Sequence, residues 1–163
     1  MTVSIANRDI WTLPAFGDRK PIPFLQTEFS EAGGRYSPDG KWVAYYSDES
    51  GDNEVYVRSV LPGGGRRLVS TSGGSRPKWR RDGKEIFYLS ANGELMAAAV
   101  KDNGSSLETG IPKPLFQMHL APFSPSFDVT PDGQRILAVS SSATKLPTPI
   151  TVVVNWDTGL KGQ

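Results

Sequence analysis

Tyr36-Ser37-Pro38-Asp39-Gly40-Lys41-Trp42-Val43-Ala44-Tyr45-Tyr46-Ser47 decides the fold, because the turn it contains comes back twice. Arg80-Arg81-Asp82-Gly83 and Thr130-Pro131-Asp132-Gly133 stand in the same context, each followed by a charged or polar residue and then an apolar run. Proline holds φ at about −65° for the first central position. Aspartate suits the second position, and glycine takes the left-handed one that closes a tight hairpin. Pro38, Asp39, Gly40, Asp82, Gly83, Pro131, Asp132 and Gly133 are therefore read as structural turn residues. A carboxylate placed there accepts hydrogen bonds from nearby backbone N–H groups, so these aspartates punctuate the chain and are not acid catalysts.

Outward from the turns, the copies match element by element. Lys41–Ser47 aligns with Lys84–Ser90 and Gln134–Ser140, and Glu54–Arg58 aligns with Glu94–Val100. Gly40 and Gly83 lie 43 residues apart, and Gly83 and Gly133 lie 50 apart. Four short strands every 40 to 50 residues are the signature of β-propeller blades. A sandwich also has short strands, but it does not repeat one turn in one register. The second strand of each copy is apolar on both faces, as a sheet covered on either side by a neighbouring blade requires. The chain thus reads as all-β, a partial β-propeller of about three four-stranded antiparallel blades plus two strands of a preceding one. Residues 1–26 supply those two strands, 33–70 the blade with the Ser-Pro-Asp-Gly turn, and 75–117 the blade with the Arg-Arg-Asp-Gly turn. Residues 123–157 form a final blade of three strands, and 158–163 a polar tail. Tyr36, Trp79 and Phe127, at or near the ends of the first strands, are expected in the core between blades.

Composition removes several functional classes. The 163 residues carry 18 Lys+Arg against 17 Asp+Glu, so no global charge favours nucleic acid or an anionic membrane. There is no cysteine, which excludes disulfide and thiolate chemistry. No apolar run approaches the roughly 18 residues of a membrane-spanning helix. Gly63-Gly64-Gly65 lacks the Gly-Lys-Ser/Thr ending of a phosphate loop and reads as a flexible connection.

The candidate sites are few. Asp48, Asp52 and Glu54 gather oxygen ligands of the kind Ca²⁺ takes, but without the alternate spacing and distant bidentate glutamate of an EF-hand loop. A solvated hairpin turn is expected there, and no metal. Arg76, Lys78, Arg80 and Arg81 surround Trp79 and are candidate contacts for an anionic ligand. On alternate strands and turns they need not converge, so charges along blade rims are the plainer expectation. His119 is the only histidine and the fifth candidate for a ligand contact. No Gly-x-Ser-x-Gly elbow accompanies it, and one histidine without cysteine cannot make a zinc site. No catalytic residue and no cofactor is assigned.

The pattern Trp/Tyr-x-x-Asp-Gly-Lys-x-Ile/Val-x-Tyr-x-Ser, an Asx/Gly turn, then Glu-Ile/Val-Tyr-Val resembles the WD40-like, TolB-type propeller repeat. The resemblance covers roughly Asp9 to Trp156; Arg80-Arg81 replaces Ser-Pro in the second copy, and Ala138 stands in the third where the others have Tyr. Ile150–Trp156 with Leu160-Lys161 is similar to the C-terminus of propellers attached to bacterial serine/threonine kinases. The resemblance implies a non-catalytic sensing or scaffolding module that binds a protein or small ligand on a propeller face. It also implies a bacterial protein on the extracytoplasmic face or in the periplasm. The enzymatic alternatives are an accessory propeller of a prolyl oligopeptidase-type peptidase or a metal-assisted lyase propeller; a TolB-like periplasmic interaction protein is a further reading. A half-ring exposes apolar blade faces, so self-association that completes a ring is expected.

Overall fold

The computed structural model describes residues 7–104, 106–118, 120 and 127–139. Among them every regular element is a strand. β1 (Ile10–Thr12) and β2 (Ile22–Leu25) form a two-stranded antiparallel sheet. β3 (Glu31–Tyr36), β4 (Trp42–Ser47), β5 (Glu54–Ser59) and β6 (Arg66–Leu68) form a four-stranded meander in chain order. β7 (Ser75–Trp79), β8 (Glu85–Leu89) and β9 (Glu94–Asp102) begin the next blade. β10 (Leu107–Thr109) and β11 (Lys113–Gln117) both pair with β9, on different stretches of it. β12 (Phe127–Val129) and β13 (Ile136–Ala138) open the last blade. The expected strand over 150–156 and the tail lie outside the described residues.

The period-two alternation of the second strands explains the stacking. Trp42, Ala44 and Tyr46 on one face of β4 pack with Val55, Val57, Ile86, Tyr88 and Ala98 between the two full blades. Tyr45, on the other face, packs with Tyr56, Leu25, Ile10 and Phe24 of the preceding sheet. β8 repeats the arrangement, with Ile86 and Tyr88 facing backward and Phe87 and Leu89 facing forward onto Phe127, Val129 and Ile136. No blade has a private core. Each sheet is buried only because its neighbours are there, which is the logic of a stacked repeat. Hydrogen bonds also cross the joints: Trp79 Nε1 donates to Arg35 O at 3.1 Å, and Arg67 Nε donates to Leu107 O at 3.4 Å.

Three features depart from the sequence reading. The first strand of the first full blade begins at Glu31, not at 33, because Gly33 sits at φ 68° in a β-bulge between Ala32 and Arg35. The bulge allows pairing to continue across a glycine pair that looks like a connection. The stretch from Lys101 to Gly110, which its polar composition marks as a loop, is a hairpin, with β9 running on to Asp102 and β10 folding back on it. Tyr36 is half exposed instead of buried between blades: among the described residues the facing sheet consists of β1 and β2, which leave it half uncovered. Trp79 and Phe127 do pack in the inter-blade cores.

Candidate functional site

The three Asp-Gly turns share one geometry. Gly40, Gly83 and Gly133 stand at φ 74°, 73° and 74°, each donating its N–H to the carbonyl three residues back. Asp39, Asp82 and Asp132 accept from the backbone N–H two residues on, at 3.2, 3.0 and 3.0 Å. In the first and third copies the residue opening the turn adds a hydroxyl: Ser37 Oγ donates to Asp39 at 2.6 Å and Thr130 Oγ1 to Asp132 at 2.5 Å. Arg80 does the same work in the second copy with a bidentate guanidinium on Asp82, at 2.7 and 2.9 Å, and also reaches Glu85 at 2.9 Å. Three of the donor directions of Arg80, a candidate ligand contact, thus end on carboxylates of its own blade. Successive turns touch, the Gly83 position lying beside Pro38 and the Gly133 position beside Arg80.

The Arg80 guanidinium, followed by the Lys84 N–H, holds the Asp82 carboxyl down to about 2. Hydrogen bonds led by Ser37 and Thr130 lower Asp39 and Asp132 in the same direction. A carboxylate depressed in the folded state contributes stability that is complete above its ordinary value of 3.8 and is lost as pH falls through the folded value. The urea midpoint is therefore expected to fall between about pH 4 and pH 2, and Asp82→Asn to flatten part of that fall. An unchanged slope in the variant would contradict the assignment.

Beside the turns, a cleft of about 590 Å³ opens between the two full blades. Trp42 and Trp79 line it, with Asp39, Asp82 and Asp102 facing Arg81, Lys84 and Lys101. Lys41 closes one side through ion pairs to Asp39 at 3.3 Å and Asp102 at 3.6 Å. Arg81 thus belongs to this cleft. A second cleft of about 560 Å³ lies among other loops of these blades, lined by Asp52, Asn53, Ser72, Ser90 and Arg76. Arg76 also lines a smaller cavity of about 180 Å³ with Arg35, Lys78, Pro77, Tyr46 and Phe127. Of the basic candidates, Arg76 and Lys78 are brought together; Arg80 and Arg81 are not with them. Arg35 completes the group and was missed by sequence reading. The signal was present, since a 43-residue offset aligns Arg35 with Lys78. His119 lies outside the described residues.

The acidic turn is occupied by the chain itself. Asp48 accepts from the Ser30 N–H at 2.9 Å, and Glu54 accepts from Ser70 Oγ and from the Gly73 N–H at 2.8 Å. Glu49 pairs with Arg66, whose guanidinium also stands 5.1 Å from the Tyr56 ring centre. Among the described residues no group of three or more His, Cys, Asp and Glu side chains is placed to hold a metal ion. No described helix is long and apolar enough to cross a membrane.

No family model matches the chain. Over 75 residues, 45% of its length, it is 35% identical to an uncharacterized peptidase of Bacillus subtilis, YuxL, of which that stretch covers 11%. A crystal structure of TolB from Acinetobacter baumannii superposes with a TM-score of 0.58 at 22% identity, over 81% of this chain and 32% of that one. The chain thus spans about a tenth of the peptidase and a third of the TolB chain. In architecture it is an all-β, TolB-like partial propeller.

Proposed function

We propose that this chain is a binding module without chemistry of its own, taking a protein or small ligand at the clefts between its blades. The observation that carries this reading is the state of the carboxylates in the larger cleft. Asp39 accepts from Ser37 Oγ and the Lys41 N–H, and Asp82 from Arg80 and the Lys84 N–H, so both carboxylates are committed to their own turns. They suit recognition better than proton transfer. Around them, the half-buried Trp79 indole and an even balance of charges offer apolar and polar contacts in one concave surface, the usual form of a ligand site.

Two hosts fit such a module. The match to a peptidase favours a propeller accessory to a prolyl oligopeptidase-type hydrolase. The resemblance of Ile150–Trp156 to kinase-attached propellers favours the sensing end of a bacterial serine/threonine kinase. A Gly-x-Ser-x-Gly elbow or a His-Arg-Asp motif elsewhere in the gene separates them. The exposed Trp11, Leu13 and Phe16 near one end and Leu137 and Val139 near the other support self-association as a further property. A strictly monomeric species by light scattering at micromolar concentration would count against it.

The chain alone is expected to hydrolyse no peptidyl nitroanilide and to transfer no phosphate from ATP. Turnover by purified protein would refute the reading. Fragment screening by NMR is expected to give hits that shift the Trp42 and Trp79 indole resonances; hits that leave both indoles unshifted would argue against the cleft.

A further inference from the structure

We propose that the small cavity between β3 and β7 is a binding site for a carboxylate or phosphate group, gripped by Arg35 and Arg76 with Lys78 at its rim; this deepens the binding-module reading and rests on it. Three cationic side chains line one cavity of about 180 Å³. Lys78 has a single ion-pair partner among the described residues, Asp128 at 3.5 Å, whose side chain is 71% exposed. The described hydrogen bonds of the two guanidinium groups are to uncharged neighbours in the chain: Arg35 donates to Gly34 O at 3.1 Å and Arg76 to Ser75 Oγ at 3.5 Å. Elsewhere in this protein Arg66 pairs with Glu49, and Arg80 with Asp82 and Glu85. Three like charges balanced by one exposed carboxylate repel one another, and an oxyanion entering among them turns that repulsion into attraction. Guanidinium forks match the paired oxygens of a carboxylate or phosphate, and the buried Phe127 beside them lowers the local dielectric.

The backbone shows that Arg76 is held there against its own preference. It occupies φ 55°, and the position 43 residues earlier, in the matching bulge of the previous blade, is Gly33 at φ 68°. Arg19, at φ 50° in an exposed loop, is the other left-handed arginine among the described residues; Arg76 differs from it in being half-buried inside a paired strand, where such outliers gather at functional sites. Room for its side chain has been made as well. A Cβ at Gly33 would lie 2.6 Å from Tyr46 Cε1, whereas the residue matching Tyr46 in the second blade is the smaller Leu89. Both changes leave the fold unaltered. What they add is a second guanidinium in the cavity.

The test is an NMR titration of the isotope-labelled full chain with inorganic phosphate and with succinate at constant ionic strength, reading the Arg35 and Arg76 Nε–H signals. Saturable shifts of both signals are expected. Arg76→Gly is expected to weaken phosphate binding by about tenfold or more while leaving Tm unchanged or higher, since glycine suits the left-handed position. Shifts that only track ionic strength, or a glycine variant that binds phosphate as well as the parent, would overturn the site. So would a marked fall in Tm of the variant, which would make Arg76 a structural support. Competition by a short peptide with a free C-terminal carboxylate, and none by its amide, would support the site with a peptide end as the source of the anion. Phosphate and succinate binding without peptide competition would support it with a free anion. Turnover in the assays above would sink the binding-module reading and leave these shifts untouched, whereas absent shifts would sink the site alone.

Discussion

Phe87→Ala is expected to cost about 3–5 kcal/mol and to lower Tm by roughly 6–20 °C. Phe87 is 2% exposed and sits with Leu89, Leu95, Ala97, Met118 and Phe127 in the cluster that joins the second full blade to the last one. Its ring edge also lies beside the Gly133 turn, so truncation opens a cavity at the joint and loosens the turn-to-turn contact together. Neither side can collapse into the space without leaving its own sheet. Amide exchange should rise most in Phe127–Val129 and Ile136–Ala138 and least in β4 and β5, which pack on the other interface. A thermal shift corresponding to less than about 1 kcal/mol would show that the last blade is held by something other than this cluster.

The second large effect is at Gly33. Gly33→Ala combines a positive φ of 68° with a Cβ placed 2.6 Å from the Tyr46 ring, and is expected to destabilise by about 2–4 kcal/mol. Tyr46→Leu in the same chain copies the Leu89 arrangement and should restore the part due to overlap. What remains is the cost of a left-handed alanine, about 1 kcal/mol. The double-mutant cycle in urea denaturation should therefore show coupling of about 1 kcal/mol or more, and additive effects would refute the contact.

The turns were legible because their chemistry is local: proline, aspartate and glycine act within four residues, and no distant partner is needed. The two-faced apolar strands were legible for a similar reason, since burial on both sides leaves no polar alternation. The bulges were not. Gly33-Gly34 and Ser75-Arg76 carry no local sign that pairing continues through them, because what sustains it is the strand opposite. The exposure of Tyr36 likewise depends on how far the facing sheet extends, which Tyr36 itself does not encode. The basic group was half visible. Arg76 and Lys78 stood out, but Arg35 joins them only across a blade joint, and Arg80 leaves them because Asp82 and Glu85 claim it.

The matched pairs Gly33–Tyr46 and Arg76–Leu89 also bear on how two copies of a blade can drift apart. In a chain with glycine and tyrosine at both places, acquiring the arginine first sets its Cβ against the ring and costs stability. Acquiring the leucine first merely leaves a little space. The order leucine first, arginine second avoids the intermediate that carries both the left-handed side chain and the ring overlap, so it is the less costly route to a charged cavity.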